Sequence, residues 1–214
     1  MLGNILNFIK NYQRLSVDEE LLKKASAPGI IPLGSVIGKP RLLSTAEIVQ
    51  HYGKPGDPVN LTTIEPPYAM FIAWNPTDQV EKLACHKKIA VPLMNVLKDI
   101  KLAYTEVEIK KYGFDQFGGC NNFRAQRNLE KKYEAAIKAK NYKLAQTYLS
   151  RHSWAIPVDI DPLRNSLKTR YPKAFLSRPE CILFNDIWYS HGFIGYGRER
   201  GNDWMHYEAG VFFD

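Results

Sequence analysis

The sequence predicts an α+β domain: a small antiparallel sheet with packed helices, preceded by an N-terminal helical extension. Three observations carry this. Helical apolar periodicity recurs in separate stretches, and the strand-like runs are short, with one at the very end of the chain. In 214 residues, 45% hydrophobic and 12% aromatic content suffices to close a sizeable core.

The elements follow in order. Residues 4–26 carry Ile5, Leu6, Phe8, Ile9, Tyr12, Leu15, Leu21 and Leu22 in an interrupted amphipathic pattern, which reads as one or two short helices. "APGIIPLGSVIGKP" (27–40) has the Pro and Gly density of a linker, so the main domain is expected over 41–214. "STAEIVQHYG" predicts a helix with Ser44 as N-cap, Glu47 completing a capping box and Gly53 just past its end. "YAMFIAW" (68–74) predicts a strand. Residues 78–104 predict a mostly helical stretch, with Leu83, Ile89, Leu93, Val96, Leu97 and Ile100 on one face and a kink or fresh start at Pro92. Residues 128–150, rich in Ala, Lys, Glu and Leu, predict one helix with a solvated lysine-rich face. "RPECILFNDIWYSHGFI" predicts a helix ending near Gly192, and "DWMHYEAGVFF" a closing strand.

Charge and composition bound the partners. A net charge of +7 favours an anionic partner such as nucleic acid, an anionic cell-wall polymer or a membrane surface. The basic residues are scattered without an arginine-rich run or a DNA-binding motif, so nucleic acid is not expected. No window approaches the ~20 apolar residues of a membrane span. The N-terminus lacks a basic region and a small-residue cleavage site, so no signal peptide is expected. Cys85, Cys120 and Cys181 are odd in number and far apart, which argues for folding in a reducing cytoplasm.

The chemistry concentrates in "YLSRHSWAIPVDIDP", where His152 stands seven positions before Asp159. The pair reads either as half of a metal site or as an ordinary bend between a helix and a strand. On a straight strand the two residues would lie roughly 23 Å apart on opposite faces. On a helix they would share a face but stand about 10.5 Å apart along the axis. Zinc–ligand bonds of ~2.0–2.2 Å rule out both regular forms. A shared ion therefore needs a bend, and Pro157 supplies one. A catalytic zinc usually takes three protein ligands, and His206 in "GNDWMHYE" is the obvious third. Asp203, three residues earlier, suits a general base acting on zinc-activated water, and Glu208 suits an orienting partner. His51, His86 and His191 read as non-catalytic. Cys120, Cys181 and the set Trp188, Tyr189, Phe193 and Tyr196 read as core, with Trp204 a candidate for the cleft wall.

"SRHSWAIPVDIDP" followed by "GNDWMHYE" resembles the paired signatures S-x-H-x-x-G-x-A-x-D and [D/E]-x-x-H of the M15 zinc peptidases. These are the D-Ala-D-Ala carboxypeptidases and dipeptidases and the L-alanyl-D-glutamate endopeptidases of bacteriophage lysins. "CHKKIAVPLMNVLKDI" and "FGGCNNFRAQRN" upstream extend the resemblance over residues 41–209. It implies an α+β fold carrying a zinc site, with His152, Asp159 and His206 binding Zn2+ and Asp203 as acid/base. It also implies Arg124 at the scissile carbonyl and oxyanion, Arg127 on a substrate carboxylate, and Ser150 lining the substrate cleft. The implied protein is an endolysin-like hydrolase of bacterial peptidoglycan. It would be made in the host cytoplasm, released through a separate membrane pore and active at the cell wall. Three departures stand out. Ala155 replaces the family glycine and is strained if that position needs φ > 0. Pro157 replaces a small residue, and a helix near 128–149 is inserted. These motivate a rival from another class, a virion component that grips peptidoglycan with weakened or lost catalysis. Residues 1–40 would then be the docking segment for a virion or host-envelope partner.

Overall fold

The computed structural model describes residues 40–211. The extension and linker expected over residues 1–40 lie outside the described residues, apart from residue 40 itself. The described residues form an α+β fold. In chain order come α1 (Thr45–Tyr52), β1 (Leu61–Ile64), β2 (Phe71–Ile72), β3 (Asn75–Gln79) and β4 (Leu83–His86). Then follow α2 (Lys87–Ala103), α3 (Glu106–Tyr112), β5 (Gln116–Gly119), α4 (Glu130–Lys138), α5 (Tyr142–Thr147) and β6 (Pro157–Ile160). The chain closes with α6 (Pro162–Asn165), α7 (Ile182–Ser190), β7 (Phe193–Gly195), α8 (Tyr196–Arg200) and β8 (His206–Ala209). Six strands form one sheet in the order β3-β2-β5-β6-β8-β7, and β1 pairs with β4 in a separate ladder. Every pairing is antiparallel except β2 with β5. No helix among the described residues is long and apolar enough to cross a membrane.

The first helix forms as its sequence dictates. Ser44 and Glu47 close a reciprocal capping box, and Gly53 ends the helix at φ 82°. Helix α2 buries Ile89, Leu93, Val96, Leu97 and Ile100, the stripe its periodicity predicts. Pro92 neither breaks this helix nor starts a new one. The penalty of about 3 kcal/mol for an interior proline is outweighed by five apolar side chains worth ~1.5–3 kcal/mol each.

Three expectations need correction. Residues 78–86 are not helical: Leu83–His86 is a strand, because it pairs residue for residue with Leu61–Ile64. Tertiary pairing overrides a weak local preference there. The single helix expected over 128–150 is two. Lys140 adopts φ 57°, its amide and that of Asn141 close the first helix, and the Asn141 side chain caps Leu144 at 3.1 Å. The strand expected over 68–74 shrinks to Phe71–Ile72, where pairing with β3 and β5 holds it.

The core lies between the sheet and helices α2 and α7. Trp188 of α7 stacks on Tyr207 of β8 at 4.5 Å, Phe184 stacks on Phe114 at 4.0 Å, and the Tyr207 hydroxyl donates to Asn185 at 2.9 Å. One face of β8 is thus committed to packing, which turns His206 and Glu208 to the other face.

His86 ties three segments together. Its Nδ1 accepts the Lys88 amide at 3.0 Å, capping α2, so its Nε2 carries the proton it donates to the Tyr52 carbonyl at 2.9 Å. Its own amide donates to the Ala155 carbonyl at 2.9 Å. Burial, aided by nearby lysines, lowers its pKa below the ordinary 6.5. The stability that neutral His86 contributes is therefore present above about pH 6.5 and is lost as pH falls through the depressed folded value. We expect His86→Ala to cost about 2–3 kcal/mol in denaturant unfolding at pH 7.5, through the lost cap and an orphaned carbonyl. The loss should shrink towards pH 5, and a loss that does not change with pH would contradict the neutral-cap assignment.

Candidate metal centre

The bend between His152 and Asp159 is built from three pieces. Arg151–Trp154 makes one 3-10 turn, Ala155 takes a left-handed conformation at φ 53°, and Pro157 opens β6. The predicted strain at Ala155 is therefore present. Its carbonyl accepts the His86 amide and, at 3.4 Å, the Cys120 thiol, while its amide donates back to His152. Strand register does the rest: Asp159 pairs with His206, Val158 with Tyr207 and Pro157 with Glu208.

His152, Asp159 and His206 consequently converge, each offering one ligand atom within 4.8 Å of the others. His152 Nδ1 donates to the Cys120 carbonyl at 2.9 Å, which leaves Nε2 facing Asp159 Oδ2 at 3.3 Å. His206 Nδ1 lies 3.0 Å from Asp159 Oδ1, and its Nε2 lies 3.5 Å from Glu208 Oε2, an ion-pair distance rather than a hydrogen bond. In its neutral form His152 turns an Nε2 lone pair towards Asp159, while His206 Nδ1 is placed to donate its proton to the same carboxylate and its Nε2 has no hydrogen-bond partner. A divalent ion bound here would replace the proton on His206 Nδ1 and meet one donor atom from each of the three residues. Tetrahedral ligands at ~2.1 Å from an ion are about 3.4 Å from one another, which matches these separations. The donor set and its spacing therefore fit a divalent ion, and the group can hold one.

Glu208 supports this arrangement from behind. It is fully buried, receives the Tyr196 hydroxyl on Oε2 and pairs with Arg151 Nε at 3.5 Å through Oε1. Burial raises its pKa, but His206, Arg151 and Tyr196 outweigh burial and hold it below the ordinary value. Burial likewise opposes ionisation of Asp159, yet the two histidines keep that carboxyl well below the usual range. Burial would lower His206, but Asp159 and Glu208 prevail and push it up to about 10. Arg151 had no assigned role in the sequence, and Tyr196, read there as core, instead lines the first cavity and bonds Glu208. Their only signals were adjacency to His152 for the first and, for the second, a place between two glycines.

The cluster lies at the junction of two cavities. The first, of 430 Å³, is lined by Asp203, Ser150, Arg124, Arg127, Arg151 and Arg200 among others. The second, of 520 Å³, shares Arg124, Arg127, His152 and Asp159 and continues past Gly118 and Gly119 to Trp74. Residues 124–126 pair with 148–150, so the Ser150 amide donates to the Arg124 carbonyl at 2.9 Å and Ser153 Oγ bonds the Arg124 backbone. Asp203 sits at φ 60° in a tight turn whose carbonyl accepts the His206 amide at 3.1 Å. One of its carboxylate oxygens is buried without a hydrogen-bond partner, and burial raises its pKa, with the Asp159 charge adding to burial and His206 and Arg127 opposing it.

Trp204 is a correction. It does not line either cavity but is 2% exposed in the core, where a side-chain carbon on Gly197 would meet its indole at 2.1 Å. The left-handed Asp203 turns the next side chain away from the cleft. His86 is the structural cap described above, His51 lies exposed on α1, and His191 pairs with Asp99 at 2.6 Å. Comparison of the chain with protein-family models, with curated proteins and with solved structures gives no match.

Ala155→Gly should change stability by no more than about 1 kcal/mol, because relief of ~1–2 kcal/mol of left-handed strain is offset by a lost buried methyl and a freer unfolded chain. Ala155→Val should cost more than about 3 kcal/mol in the same denaturant measurement, since a β-branched residue fits neither that conformation nor the packed site. Chelator-treated protein should take up one zinc per chain, with affinity rising from about pH 6 to pH 8 as His206 surrenders its proton more readily. Glu208→Gln should weaken zinc binding by about 10–100-fold in an indicator titration. Unchanged affinity in that variant would deny Glu208 its orienting part.

Proposed function

We propose that this chain is a zinc-dependent peptidase that hydrolyses peptidoglycan stem peptides at the L-Ala–D-Glu bond, in the manner of M15-type phage endolysins. One observation carries the reading: two histidines and an aspartate that each offer a ligand atom to a common point, opening into a cleft that also holds Asp203, Arg124 and Arg127. Zinc at that point supplies a Lewis acid and brings the pKa of water towards ~7. Asp203 takes the proton of the attacking water and returns it to the leaving amine. A carboxyl held above its ordinary pKa suits a group that must carry a proton for part of the cycle. Arg124 meets the developing oxyanion, where a fixed positive charge is most effective. Arg127 pairs with a substrate carboxylate, which a planar guanidinium grips through two nitrogens. Ser150, 8% exposed, lines the same cleft.

A cleft that continues on both sides of the cluster favours an endopeptidase over a D-Ala-D-Ala carboxypeptidase, whose substrate ends one residue past the scissile bond. The virion-associated, wall-gripping alternative shares the fold and differs only in turnover. The site of action on either reading is the bacterial cell wall.

Asp203→Ala should reduce peptide release from purified sacculi by at least about 10²–10⁴-fold while retaining one zinc per chain by elemental analysis. Mass spectrometry of the wild-type products should show new D-Glu amino termini rather than free D-Ala. Zinc-loaded wild-type protein that binds sacculi without releasing peptides would overturn the peptidase reading in favour of wall binding.

A further inference from the structure

The two arms of the cleft differ in chemistry. Four arginines, at 124, 127, 151 and 200, line the first, against the carboxylates Asp159 and Asp203. The second keeps two of those arginines near the cluster, adds the carboxylate of Glu130 and no further cation, and continues along a glycine floor at 118–119, the amides Asn121 and Asn122, and the indole of Trp74. An added side-chain carbon on Gly119 would meet nothing within 4 Å, so the floor is open to a ligand. Asn122 is fixed to the metal-site bend by its amide, which donates to the His152 carbonyl at 3.0 Å.

Trp74 is out of place for a merely structural residue. It occupies the two-residue turn between β2 and β3, a position where Asn and Gly are preferred, and it is 65% exposed. The neighbouring Ala73 amide anchors the turn to the Phe117 carbonyl at 3.0 Å, so the indole is held at the cavity wall by a backbone contact to the sheet. The other three tryptophans, Trp154, Trp188 and Trp204, are all buried.

The proposed substrate is asymmetric in the same sense. On the carboxyl side of an L-Ala–D-Glu bond it is rich in carboxylates. On the amino side it is one neutral residue and then an N-acetylated amino sugar. One extended residue spans at most about 3.6 Å, so the sugar ring stands within a few such lengths of the scissile carbonyl. Charge complementarity therefore lays the carboxyl side along the four arginines and the uncharged sugar side along the arm that adds no further cation. Resting on the peptidase reading above, we propose that the arm formed by Trp74, Asn121 and Asn122 is a saccharide subsite for the N-acetylated sugar that bears the stem peptide. The indole covers the apolar face of the pyranose ring, and the two amides meet its acetamido and hydroxyl groups.

Trimeric N-acetylglucosamine, titrated into the full-length zinc-loaded protein, is the direct probe. Because Trp74 is the exposed tryptophan among the described residues, saturable quenching and a blue shift of the intrinsic emission are expected. Calorimetry should show binding in wild type, at least tenfold weaker binding in Trp74→Ala and in the Asn121→Ala/Asn122→Ala pair, and retained binding in Trp74→Phe. Circular dichroism checks that each variant is folded. The kcat/KM ratio for glycan-linked over glycan-free stem peptide should fall about tenfold in Trp74→Ala. Absence of saturable sugar binding in wild type, or binding untouched by Trp74→Ala, overturns the subsite even where peptides are cleaved. Sugar binding lost in Trp74→Ala but without any peptide cleavage supports the subsite and sinks the peptidase reading instead.

Discussion

Side chains alternate along a strand, so pairing Asp159 with His206 puts both on one face of the sheet and Val158 with Tyr207 on the other. A one-residue slip between β6 and β8 would send the ligands into the core and Tyr207 into the cleft. What forbids the slip is packing on the far face. Val158, Ile160 and Tyr207 are essentially buried, and Tyr207 is stacked on Trp188 and bonded to Asn185. The candidate metal centre is thus aligned by hydrophobic contacts on the opposite face of the sheet. The third ligand depends on a different device, the left-handed Ala155 that swings His152 back over the strand.

That device is strained, and its surroundings over-determine it. Both backbone groups of Ala155 are used, and its carbonyl is the point where His86 and Cys120 meet. Cys120 in turn presents its own carbonyl to His152, so one short segment fixes both the bend and the tautomer of the ligand at its start. A cost of about 1–2 kcal/mol for a non-glycine residue at positive φ is small beside the several hydrogen bonds that hold it.

How much of this the sequence reveals depends on range. Local signals read well: Ser44 with Glu47, the stripe on α2 and the need for a bend before Asp159 are all expressed within a few residues. Asn141 was a cap of the same kind, but the favourable composition around it masked the break. Signals that depend on partners far along the chain were not legible. "LACH" is a strand because residues 61–64 lie beside it, and no local feature says so. The three ligand types could be named from spacing, and their convergence rests on a register no spacing encodes. Trp204 shows the opposite error. It was a candidate for the cleft wall, whereas the turn at Asp203, with φ 60°, leaves it buried in the core. Tyr196 and Arg151 matter through Glu208, a buried anion whose need for partners appears only once its burial is known.

Buried charge sets the final condition on the site. Asp159 and Glu208 flank His206, and the nearest guanidinium reaches Glu208 only at 3.5 Å. Glu208 has Tyr196 and Arg151 as further partners, whereas Asp159 faces the two histidines, and a carboxylate removed from water costs several kcal/mol unless a cation stands beside it. Without metal, that cation is the proton on His206, which is why the ring is pushed up to about 10. A divalent ion competes for the same nitrogen, Nδ1, and brings twice the charge. Glu208 serves both states, as an ion-pair partner of the protonated ring and as the group that keeps Nε2 protonated when Nδ1 is given over to metal. His152 decides between the two. A purely structural His–Asp pair would turn an N–H towards the carboxylate, whereas the Cys120 carbonyl claims the Nδ1 proton and leaves Nε2 aimed at Asp159. His152 thereby adds a third donor atom that a metal ion could share with Asp159 and His206.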